Sequence, residues 1–88
     1  MILQFIRNVH FTRLVKAADR LREFNFRKLP SDSSPLFHID VPDDRGNRIV
    51  FRMQQEDNNQ WKIIDHDIPM WVSATEKELA DRIVEEMS

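Results

Sequence analysis

Through the middle of the chain, apolar and polar positions alternate with a period of two. Phe24 and Phe26 alternate with Asn25 and Arg27, and Phe37, Ile39 and Val41 with His38 and Asp40. Ile49, Phe51 and Met53 alternate with Val50, Arg52 and Gln54, and Trp61 and Ile63 flank Lys62. This spacing marks half-buried strands, whose side chains point to opposite faces in turn. Pro42-Asp43-Asp44-Arg45-Gly46-Asn47 holds the only glycine, so it reads as a hairpin turn needing a positive φ. Glu56-Asp57-Asn58-Asn59 reads as a second hairpin loop. The pattern predicts an antiparallel meander of three or four strands.

Both flanks show helical spacing. Phe11, Leu14, Val15, Ala18 and Leu21 recur at intervals of three and four, with Arg13, Lys16 and Arg20 on another face. They predict an N-terminal helix, with residues 2–9 either a short first helix or its bent start. At the other end, Leu79, Ala80, Ile83, Val84 and Met87 form an apolar stripe behind Ser73-Ala74-Thr75-Glu76, a candidate capping box. Pro69 breaks regular pairing in residues 64–72, where Met70, Trp71 and Val72 are expected to plug one edge of the core. The expected fold is a single α+β domain over residues 1–88. It is a two-layer sandwich of N-terminal helix, meander and C-terminal helix.

Composition sharpens this in three ways. Eighty-eight residues make one core and not two. The absence of cysteine removes disulfides, thiolate metal sites and thiol nucleophiles, and favours a reducing, cytoplasmic setting. No apolar run approaches the roughly 20 residues of a membrane span. Net charge is −2 but unevenly spread. Residues 1–30 hold seven Lys/Arg against two acids, and residues 31–88 hold six against thirteen. That asymmetry fits either a basic binding surface or mutual attraction of the two halves within one fold.

Little of the sequence reads as catalytic. His38 with Asp40, and Asp65-His66-Asp67, set imidazole beside carboxylate, the pairing that binds divalent metals or moves protons. Neither has the spacing of a known ligand set, and surface histidines explain both. Asp40, Asp43 and Asp44 lie near a turn, without the alternating acids of a calcium loop. One glycine cannot build a dinucleotide or P-loop cradle, and no serine sits in a nucleophile elbow. No cofactor or metal site is therefore expected.

Arg7, Arg13, Lys16, Arg20, Arg27 and Lys28 could contact phosphates. The order helix, strands, helix is similar to that of a double-stranded-RNA-binding domain. That likeness ends at the final helix, which begins Thr75-Glu76-Lys77-Glu78 and would repel RNA. Trp61 alternates into the core, whereas Trp71 lies in an irregular segment that suits a contact residue.

One feature stands out. The second face of the expected sheet carries Leu29, Leu36, Val50 and Ile64 among Arg27, His38, Arg52 and Lys62, with Trp71 placed to extend it. Apolar patches of this kind mark contact sites. The expectation is a non-catalytic interaction domain that binds a protein partner or forms a homodimer through this face. The alternatives are a nucleic-acid binder using the basic N-terminal segment, and a small metal-dependent enzyme using His38, Asp40, His66 or Asp67.

Overall fold

The computed structural model describes residues 9–88. Five antiparallel strands run in chain order across one sheet: β1 (His10–Ala17), β2 (Arg20–Leu29), β3 (Leu36–Pro42), β4 (Arg48–Gln55) and β5 (Trp61–Ile63). A single turn, α1 (Met70–Ser73), precedes the helix α2 (Glu76–Met87). The sheet curls into a half-barrel, and α2 packs against both of its edge strands, β1 and β5. The expected sandwich is corrected accordingly. There are five strands rather than three or four, and no helix lies in residues 9–30.

The N-terminal segment is a hairpin. Ala17 pairs with Arg20 across a two-residue turn, Ala18-Asp19, with φ of 52° and 66°. Left-handed conformations at two L-residues cost about 1–2 kcal/mol each. Burial of Phe11, Val15, Phe24 and Phe26 outweighs this, at about 1.5–3 kcal/mol per side chain. Leu14 and Leu21, which completed the helical spacing, point outward and are exposed by 61% and 65%. The helical reading of residues 2–9 lies, except for Val9, outside the described residues. The Val9 carbonyl accepts a hydrogen bond from the Lys28 amide, continuing the β1–β2 ladder.

The two other tight hairpins share one design. In each, a type I turn is followed by a left-handed residue, Gly46 (φ 83°) or Asn59 (φ 67°), the conformation those residue types tolerate best. Asp43 Oδ1 accepts from the amides of Arg45 and Asn47 and holds the first loop closed.

The concave face of the sheet makes the core. Phe24, Phe26, Phe37, Ile39, Val41, Phe51, Met53 and Trp61 meet Val72, Leu79 and Ile83. Four aromatic rings form a chain through it. Phe11 stacks on Phe26 at 4.6 Å, and Phe37 sets its edge against Phe11, Phe26 and Trp61 at 5.4–6.5 Å. These are the offset and edge-on arrangements that ring quadrupoles favour.

The helix cap differs from expectation. Thr75 stands at the N-cap of α2, but its hydroxyl donates to the Val72 carbonyl and caps nothing. Glu76 turns away from the cap and accepts the Ile63 amide at 2.8 Å. It thereby satisfies a backbone donor of the short edge strand β5 and ties that strand to the helix. Of the three residues expected to plug the core, Val72 is buried, Trp71 is half-buried and Met70 is exposed.

The two oppositely charged halves also meet. Arg13 pairs with Glu86, and Arg20 and Arg22 both pair with Asp44. Among the described residues, no helix is long and apolar enough to cross a membrane.

Candidate interaction surface

The convex face of the sheet is built from the residues that alternate with the core. Strand register sets them in rows across the strands. In one row His10 on β1 stands opposite Arg27 on β2, Arg27 opposite His38 on β3, and His38 opposite Arg52 on β4. Directly opposed side chains have Cβ atoms about 4.5–5.5 Å apart. Four side chains able to carry positive charge therefore form one continuous line.

The neighbouring row is polar and internally satisfied. The Thr12 hydroxyl donates to Asn25 Oδ1 at 2.7 Å, and Asn25 Nδ2 donates to Asp40 Oδ1 at 3.0 Å. Arg48 pairs with the same Asp40 oxygen. Between the two rows lies a shallow depression of about 370 Å³, lined by His10, Asn25, Arg27, His38, Asp40 and Arg48.

The charged groups on this face fare unequally. Arg52 is tied by a forked contact to Asp65, whose Oδ2 also accepts the Arg52 amide at 2.6 Å. Hydrogen bonding from Arg52 holds the Asp65 carboxyl below its usual range. That bonding therefore stabilises the fold above the ordinary carboxylate pKa, and the contribution is lost as pH falls through the lowered value. Acid unfolding curves of Asp65→Asn and the parent should accordingly differ most at neutral pH and converge below about pH 4. A constant difference down to pH 2 would show that the pair contributes nothing to the pH dependence.

Arg27, His10 and His38 are different. None has an ion-pair partner among the described residues. This row holds no acid of its own, so the Arg27 guanidinium stands between two imidazoles without a counter-charge.

The structure brings most of the sequence-derived candidates together. Arg27, His38 and Arg52 form the row itself. Val50 lies next to Arg52 on β4, opposite Asp40. Leu29 faces Leu36 at one end of the face, and Lys62 faces Gln54 on the β5 side. The Ile64 amide donates to the Arg52 carbonyl, so Ile64 continues this edge. The apolar residues are thus marginal and half-buried to exposed, around a polar centre. His10 also belongs to the row, and spacing alone does not place it there because its segment reads as helix.

Trp71 lies elsewhere. Arg22 occupies an inward position on β2, and its guanidinium stacks on the Trp71 ring at 4.4 Å. The same group donates from Nε to the Ala17 carbonyl at 2.8 Å and pairs with Asp44 at 3.1 Å. Hydrogen bonding from Arg22 is the largest influence holding the Asp44 carboxyl below its usual range.

As for metal chemistry, His38 and Asp40 share the convex face, Asp65 is committed to Arg52, and His66 and Asp67 are exposed in the following loop. Among the described residues, no group of three or more His, Asp or Glu is placed to hold a metal ion. No protein-family model, curated protein or solved structure matches the chain.

Proposed function

We propose that the protein is a non-catalytic interaction domain that receives an acidic segment of a partner protein across the convex face of its sheet. The observation that carries this reading is the exposed guanidinium of Arg27, without an ion-pair partner among the described residues and set in one row with His10, His38 and the Asp65-paired Arg52. Electrostatic complementarity of this kind steers association and selects partners by charge. Half-buried Leu29, Leu36 and Ile64 and exposed Val50 at the margins supply apolar contact for such a segment.

The unpaired Arg27 also argues against a second copy docked symmetrically over it. An isologous dimer with its two-fold axis at this row would bring two Arg27 guanidiniums, neither with a counter-ion among the described residues, close together. A partner bringing carboxylates relieves that repulsion instead.

The test is fluorescence anisotropy with a labelled polyglutamate peptide, at low and at physiological salt. Binding should be measurable at low salt, weaken as salt rises, and fall about ten-fold or more in Arg27→Glu. Absence of binding at low salt, or equal binding by the variant, would remove the reading. Light scattering over a range of protein concentrations should show a monomer. A dimer that Val50→Lys dissociates would make a second copy the occupant.

A further inference from the structure

We propose that the depression between Arg27, His10, His38 and Asn25 is a binding site for a single phosphate group, carried as a phosphorylated side chain by the partner protein. The inference rests on the reading of the convex face as an interaction surface and names the group that anchors there.

Three observations support it. First, the site gathers donors from three adjacent strands. His10 comes from β1, Arg27 from β2 and His38 from β3, with direct register between His10 and Arg27 and between Arg27 and His38. Second, the guanidinium of Arg27 has no counter-ion among the described residues, while every other arginine on this face has one. Arg48 is neutralised by Asp40, and Arg52 by Asp65. An arginine flanked by two imidazoles and left without an acid is a site that gains from an incoming anion. Third, the surroundings hold it in place. Asn25 is fixed by Thr12 on one side and Asp40 on the other. Asp40, the one acid lining the depression, is already bound by Arg48 and Asn25.

The chemistry favours phosphate over carboxylate. A carboxylate presents two oxygens, whereas a phosphate monoester presents three acceptor oxygens and close to two negative charges at neutral pH. Donors arriving from three strands match the tetrahedral group, and the planar guanidinium engages two of its oxygens at once.

A nucleic-acid backbone fits less well. Single-stranded recognition uses exposed aromatic rings to stack bases. Here Phe11, Phe24, Phe26, Phe37, Phe51 and Trp61 are all turned into the core.

The site faces mixed charge. Asp40 on β3 and Arg48 and Arg52 on β4 share the convex face with the two histidines, whereas Lys28, opposite Phe37, alternates to the other face.

The test uses the whole chain and inorganic phosphate, followed by two-dimensional NMR. Phosphate should shift the His10 and His38 ring signals and the Arg27 side-chain signal saturably, and acetate should do so at least several-fold more weakly. Arg27→Gln should weaken phosphate about ten-fold. Arg27→Lys, which keeps the charge and loses the fork, should fall in between. Lys77→Gln on α2 should change nothing. A phosphoserine peptide should bind more tightly than its unphosphorylated form.

Equal shifts with acetate, or no saturable shift, would overturn the phosphate site. If polyglutamate still bound, the interaction face itself would stand. Loss of both would remove the two together. An oligonucleotide that outcompetes the phosphopeptide, with a salt dependence of many phosphates, would also overturn the proposal.

Discussion

Truncating Phe37 to alanine is expected to unfold the chain or leave it barely folded. The side chain is fully buried on β3, the central strand, and its ring edge meets Phe11, Phe26 and Trp61 within 6.5 Å. A buried Phe→Ala change costs about 3–5 kcal/mol. The edge-on ring pairs add about 0.5–1.5 kcal/mol each where they are lost. A domain of this length has roughly 4–13 kcal/mol of total stability. The loss is therefore comparable to the whole, because one side chain bridges strands β1, β2 and the β5 edge at once. Urea unfolding followed by circular dichroism would measure it.

The same experiment on Leu14→Ala separates strand from helix in the N-terminal segment. Leu14 is 61% exposed on the convex face, so its loss should cost about 0.5 kcal/mol or less. A helix packed through Phe11, Leu14 and Val15 would make Leu14 a core residue. A cost for Leu14→Ala near that of Phe37→Ala would contradict the hairpin.

That contrast also shows where the sequence is legible. β3, β4 and β5 are bounded by turns with recognisable residues and alternate cleanly, so their inward faces follow from spacing alone. The first hairpin does not announce itself. Its turn is Ala18-Asp19, with no glycine, asparagine or proline to mark two left-handed residues. Leu14, Ala18 and Leu21 happen to complete a helical stripe, although all three are exposed.

A second masking effect lies in β2, where the inward position before Phe24 is Arg22 rather than an apolar residue. Alternation breaks at that point, and the strand reads four residues short. The available signal was in β1, where Phe11, Arg13, Val15 and Ala17 share one face and Thr12 and Val15 are β-branched.

The candidate surface inherits both effects. Arg27, His38, Val50 and Arg52 could be placed on one face because they alternate with core residues of readable strands. His10 could not, since its partner Arg27 is set only by hairpin register. The neutralisation of Arg48 by Asp40 and of Arg52 by Asp65, which leaves Arg27 without an ion pair on this face among the described residues, depends on side-chain positions that no spacing encodes.

Replacing Arg22 by alanine is expected to be the second most damaging change, at about 2–4 kcal/mol. Its side chain is 5% exposed, and it closes the end of the core where the first hairpin turn, the β3–β4 loop and α1 converge. Three contacts depend on it. Its Nε satisfies the Ala17 carbonyl, its guanidinium covers the Trp71 ring, and it pairs with Asp44.

The ion pair is the least of these, since Asp44 is 66% exposed and regains water when released. The cost comes from the packing of the long stem, the stacked ring and a carbonyl left without its donor. Arg22→Lys should therefore recover only part of the loss. The ammonium keeps the charge, but it lacks both the Nε donor and the flat surface for Trp71. Asp44→Asn should cost clearly less than Arg22→Ala.

A double-mutant cycle with Trp71→Leu, read by thermal unfolding, should give a coupling of about 0.5–2 kcal/mol. Full rescue by lysine would assign the effect to charge and remove the stacked clasp as its cause. If Arg22→Ala cost no more than a surface substitution, the contacts of Arg22 with Ala17, Asp44 and Trp71 would not be what closes this end of the half-barrel.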